Sequence, residues 1–183
     1  MKLSVPYYSQ FIDTQDSFWM LRACGATAMK SIGEFYGISM PTIVSLCEEA
    51  RDRNGYHLEN GWVHDYIVTR LKEAGLEVYR KEGMLDIEEI TTSLLHNEPV
   101  IVSVEKRVLE QTRFHLIVLV GYEQAETNKN EDVLVTSYKL KANDFLYYHE
   151  SESTSKERGE YRKCDVETFM KYWRGKAIYA KKN

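Results

Sequence analysis

Apolar residues recur at helical spacing through the first half of the chain and at strand spacing through the second. Cys24, Ala28, Ile32 and Phe35 form one helical stripe, ending at Gly37. Ile43, Leu46, Cys47 and Ala50 form another, in a helix predicted to start at Pro41, a favourable first position. Val63, Ile67, Leu71 and Ala74 form a third, closed by Gly75. Residues 76–79 read as a short strand. A fourth helix turns Ile87, Ile90 and Leu94 inward, with Asp86 as its N-cap and Glu89 as the capping-box partner. Asn97, Glu98 and Pro99 stop it.

Beyond residue 99 the period changes to two. Residues 100–104, 114–122, 132–138, 144–149 and 176–180 read as strands, and one late helix covers 165–173. Polar loops separate the strands, which predicts an antiparallel sheet. Of these loops, 105–113 and 151–163 adjoin candidate site residues, as flanks of the site or as plain surface. Helices first and strands second is the pattern of an α+β domain. Residues 1–183 are read as one domain, with a helical half of about 1–98 and a sheet half of about 99–183.

Composition narrows the function. The chain is 43% hydrophobic, enough for a sizeable core, and its net charge is −4 with no basic stripe, which argues against nucleic-acid binding. Its longest aliphatic run, residues 116–120, is too short to span a bilayer, so no membrane insertion is expected. No apolar signal core follows Met1, so a cytoplasmic location is expected; a secreted chain trimmed at its start would look the same. Cys24, Cys47 and Cys164 make no even disulfide framework, and Cys47 falls on a core stripe. No CxxC or HExxH spacing, phosphate loop or GxSxG occurs, so neither metal nor organic cofactor is expected.

The candidate chemistry starts at Cys24. Loop-forming residues (Asp13, Thr14, Asp16, Ser17) precede it and a helix follows, so the thiol sits at the positive end of a helix dipole, which favours the nucleophilic thiolate. Gly25, Ala26 and Ala28 let other groups come close, and Trp19 is expected to pack there. His115 interrupts a strand apolar on both faces, so it is expected to be central, buried and in need of hydrogen-bond partners. A buried imidazole is also what a thiol nucleophile requires. Glu150 and Asp132 each have a spacing suited to orient that imidazole, and spacing does not choose between them. Gln10, in an extended segment broken by Pro6, offers an amide donor or a solvated side chain. Trp62 and His64 border a cleft or, with Asp65, simply cover the start of the third helix.

Taken in order, several short stretches form a resemblance. These are Val5-Pro6-Tyr7-Tyr8-Ser9-Gln10, Trp19 with Ala23-Cys24-Gly25, Gly61-Trp62-Val63-His64, and Pro99-Val100-Ile101-Val102-Ser103-Val104. Phe114-His115 running to Gly121-Tyr122, then Phe145 to Glu150, and Phe169 with Trp173-Arg174-Gly175-Lys176-Ala177-Ile178 complete it. The chain resembles the papain-like cysteine peptidases related to the bacteriocin-processing, double-glycine-leader peptidases. The resemblance implies a papain-like fold, with a nucleophile helix packed on an antiparallel sheet. It implies Cys24 as nucleophile, His115 as general base, and Gln10 with the Cys24 N–H as oxyanion donors. Glu150 matches the orienting acid, standing where the family commonly has the aspartate of His-Asp-Pro. Bulky Thr112-Arg113-Phe114 replaces small residues before the histidine, so Phe114 narrows substrate access. The expected function is a cysteine peptidase or amide hydrolase acting on a peptide or protein. The alternatives are an impaired peptide-binding module, or an acyl or peptidyl transferase on the same scaffold.

Overall fold

The helical stripes wind as helices and the β-branched runs pair as a sheet in the computed structural model, which describes residues 1–108, 111–125 and 139–182. After a 3-10 turn at Trp19–Leu21 come α1 (Cys24–Phe35), α2 (Ile43–Asp52), a hairpin of β1 (Tyr56–His57) and β2 (Gly61–Trp62), and α3 (His64–Glu73). Next are β3 (Leu76–Lys81), α4 (Glu88–Leu95), β4 (Val100–Val108), β5 (Gln111–Glu123) and β6 (Phe145–His149). The chain ends with α5 (Lys156–Gly159), β7 (Arg162–Asp165), α6 (Val166–Tyr172) and β8 (Trp173–Lys182). One six-stranded sheet runs in the order β3-β8-β4-β5-β6-β7, and every pairing in it is antiparallel.

Helix α1 packs on β5, and α2 and α3 pack on α1. Met29, Ile32, Leu46, Ile67 and Leu71 are wholly buried between these layers. Each such side chain stabilises the fold by ~1.5–3 kcal/mol relative to exposure, which fixes the depth at which α1 lies against β5. The first residues join the same framework. Leu3 N donates to the Val120 carbonyl at 2.7 Å, and Tyr161 Oη donates to the Leu3 carbonyl at 2.9 Å.

Several boundaries differ from the sequence expectation. Helix α2 starts at Ile43, not Pro41, because the Thr42 hydroxyl accepts the Ser45 N–H and caps it. The expected Asp86–Glu89 capping box does not form. Asp86 accepts the Glu88 N–H, while Glu89 turns to Tyr79 and Lys81 of β3. Residues 55–62, read as a loop, hold the β1–β2 hairpin. Strand β3, from the expected helical half, forms one edge of the sheet. Strands β4 and β5 extend well into 105–113, and 151–163 contains α5 and part of β7. Trp173 opens β8 instead of closing the last helix, which Asp165 caps by accepting the Thr168 N–H at 2.7 Å. The predicted strand 132–138 and Asp132 lie outside the described residues.

Candidate functional site

Cys24 is the first residue of α1. Among the described residues no side chain caps that end, and no acid stands in its first turn, so the helix presents its positive end to the thiol. The Thr27 hydroxyl donates back to the Cys24 carbonyl at 2.9 Å and tightens the turn. Trp62 closes over the same turn. Its Nε1 donates to the Arg22 carbonyl at 2.7 Å, and its ring lies so near Gly25 that a Cβ there would meet it at 2.2 Å.

His115 faces Cys24 from β5 and is 2% exposed, near enough for the thiol to act on its titration. Its Nε2 lies 2.7 Å from Glu150 Oε1, which leaves Nδ1 as the nitrogen for the thiol. The β5–β6 register pairs Val118 with His149, so the residue after His149 leaves the strand beside the imidazole. Burial works against a charge on either partner. For His115, Cys24 and Glu150 outweigh burial and lift the imidazole to about 10. For Glu150, His115 and then Lys106 outweigh it and hold the carboxyl down at about 2.

A second carboxylate was not singled out in the sequence. Glu152 Oε1 lies 3.9 Å from His115 Nδ1, and its backbone N–H donates to Glu150 Oε1 at 2.9 Å. Lys106 bridges the two acids, 3.3 Å from Glu150 and 2.7 Å from Glu152, and Arg113 also pairs with Glu152. Burial opposes ionisation of Glu152, but His115, Lys106 and Arg113 keep its pKa below the usual range. The only sequence signal for this group was the spacing of Glu150 and Glu152, two apart at the end of a strand.

Gln10 is 1% exposed, and its Nε2 has no hydrogen-bond partner among the described residues. The segment holding it is stitched to the one holding Glu150. Gln10 N donates to the Ser151 carbonyl at 2.7 Å, Ser9 Oγ to the Ser153 carbonyl at 2.6 Å, and Tyr7 Oη to the Glu150 carbonyl at 3.0 Å. His149 is a strut in the same seam. It accepts the Tyr161 N–H at Nδ1, so its Nε2 donates to the Val5 carbonyl at 3.0 Å. Burial holds His149 below the usual histidine range, as a neutral strut requires.

These groups surround a cleft of about 760 Å³ lined by Gln10, Cys24, Trp62, His64, Phe114 and His115, with Glu150 outside the lining. His64 opens α3, and burial followed by the nearby Lys176 holds its pKa below the usual value. Phe114 is 53% exposed at the cleft. Burial raises the Cys47 and Cys164 thiols, Cys164 to about 11. Among the described residues no cluster of three or more His, Cys, Asp or Glu is placed to hold a metal, and no helix is long and apolar enough to cross a membrane.

A thiol at a helix start, an imidazole on the sheet and an acid behind it are the arrangement expected of papain-like cysteine peptidases. The sequence model of the Peptidase C39 like family matches residues 2–178. The chain belongs to the peptidase C39-like family. Its fold is similar to the peptidase domain of Streptococcus ComA, a bi-functional ABC transporter involved in a quorum-sensing pathway. The TM-score is 0.57 at 18% identity, covering 89% of this chain and 93% of that one. It is also similar to a double glycine motif protease from an AMS/PCAT transporter, solved in complex with the leader peptide. There the TM-score is 0.59 at 15% identity, covering 100% of this chain and 94% of that one. No curated protein matches the chain. This peptidase C39-like protein therefore has the α+β, papain-like fold expected from its sequence, and its class is that of a cysteine peptidase.

Proposed function

We propose that this protein hydrolyses a peptide or amide bond through Cys24, His115, Glu150 and Gln10. The observation that carries the reading is that Cys24 and His115 line one cleft, with Glu150 Oε1 2.7 Å behind the imidazole at Nε2. Cys24 Sγ gives its proton to His115 Nδ1 and attacks the carbonyl carbon. Glu150 accepts from Nε2–H, fixing the tautomer and stabilising the charged ring. The oxyanion takes hydrogen bonds from the Cys24 N–H and from Gln10 Nε2, whose missing partner among the described residues supports this role. As the C–N bond breaks, His115 returns the proton to the leaving amine. Water then attacks the thioester with His115 again as base, which frees the acid and restores the thiol. The related double glycine motif protease with a leader peptide bound supports a peptide as the substrate.

The test is the alkylation rate of each cysteine against pH, read by peptide mapping, beside hydrolysis of a fluorogenic peptide library. Cys24 should react fastest of the three and lose that lead in His115→Ala, with hydrolysis falling ~10²–10⁴-fold. A Cys24 no more reactive than a model thiol, and equally reactive in the variant, would remove the nucleophile and leave a cleft that binds without cutting.

A further inference from the structure

The cleft holds a cation for which the proposed chemistry has no use. Arg174 lies where β8 departs from regular pairing. Val104 pairs with Trp173 and Val102 with Ala177, so β4 sets Ser103 alone against Arg174, Gly175 and Lys176. A bulge of this kind re-aims side chains and is common beside active sites. Gly175 permits it: its φ is +63°, and a Cβ would meet the Met84 carbonyl oxygen at 2.6 Å. The bulge delivers both Arg174 and Lys176 to the cleft lining.

The other cations of this β8 side are answered by acids. Lys176 lies 3.4 Å from Glu82, Arg80 pairs with Asp65 and Glu82, and Arg113 pairs with Glu152. Arg174 has no such answer. Its Nη1 donates to Ser103 Oγ at 3.0 Å, and its guanidinium carbon lies 3.3 Å from the centre of the Phe114 ring. Among the described residues no carboxylate oxygen comes within ion-pair distance of it. A guanidinium carries five N–H donors, and the ring and the hydroxyl fix its plane while occupying one of them. The group is half-buried, and burial depresses its pKa more than the distant Glu105 and Glu82 restore it. The surroundings agree in sign. Five basic and four acidic side chains line the cleft of a chain whose net charge is −4. Burial, Lys176 and Arg174 all press the His64 pKa down.

We propose that Arg174, held between Phe114 and Ser103, binds a carboxylate of the peptide, so that the cleft selects acidic segments. The inference rests on the peptidase reading for the nature of its ligand, not for its geometry. The carboxylate belongs either to an aspartate or glutamate side chain or to a free C-terminus.

The test uses two readouts, so that its failure and that of the peptidase reading separate. Labelled peptides are titrated by fluorescence polarisation onto full-length Cys24→Ala protein, which needs no turnover. The set contains an amidated glutamate library, a neutral library with a free C-terminus, and a neutral amidated library. The same libraries, made fluorogenic, are offered to the intact enzyme. One of the carboxylate-bearing sets should bind more tightly than the neutral amidated set, and which one does identifies the source. The preference should fall ~10- to 100-fold in Arg174→Gln, survive in part in Arg174→Lys, and reverse in favour of the neutral amidated set in Arg174→Glu. Charge-selective binding without cleavage would leave Arg174 standing and remove the hydrolase. Cleavage and binding indifferent to carboxylates, or a preference unchanged in Arg174→Gln, would overturn the role of Arg174 and leave the hydrolase intact.

Discussion

A buried amide with nothing to bond is a standing cost in a folded protein, and among the described residues Gln10 Nε2 has no partner. In the proposed reaction its partner is the oxyanion. Gln10→Leu removes the donor at similar volume. The expected result is a kcat lower by ~10²–10³-fold with KM little changed, and a melting temperature that does not fall. A variant with wild-type kcat would exclude Gln10 from the oxyanion site. At this scale the sequence was informative where chemistry stands against its background. Cys24 opens a helix, and His115 interrupts an apolar strand. It was silent where contacts depend on register. Choosing Glu150 needed the family resemblance, and Glu152, Lys106 and Arg113 come together only through the β4–β5 pairing and the turn after β6.

Among the elements, the start of α1 and the β1–β2 hairpin act as one unit, since Trp62 rests where Gly25 has no side chain. Gly25→Ala improves helix propensity by ~1 kcal/mol yet drives a Cβ into the indole. The ring must move, and the cleft wall moves with it. Hydrolysis is expected to fall ~10²-fold, with a changed tryptophan emission and retained helix content by circular dichroism. Unaltered kcat/KM would mean that Trp62 is no wall of the site. The helices were legible from their apolar stripes because each buries one face. The two-residue strands of the hairpin were not, since they are too short to show a period. Nor was the β8 bulge, whose extra residues interrupt the alternation from which a strand is read.

The whole molecule carries the charges of its site into its stability. His115 has its folded-state pKa raised from the ordinary 6.5 to about 10. The stability it adds is complete below pH 6.5 and is lost as pH rises through about 10. Glu150 is lowered from 4.5 to about 2, so its contribution is complete above 4.5 and is lost as pH falls through about 2. Melting temperature should therefore fall on both sides of the interval between 4.5 and 6.5. In Glu150→Gln both limbs should flatten. Parallel melting curves for the two proteins across pH 2–10 would show that the pair adds nothing. The seam that joins the first ten residues to the segment after β6 also sets a timetable. A ribosome releases Gln10 and Cys24 first, and His115 and Glu150 only after α2, α3, α4 and β4 have followed. At ~5–20 residues per second the thiol waits roughly ten seconds for its base and acid. Until β5 and β6 emerge, the growing chain holds the cysteine helix without the imidazole and the acid proposed to act with it.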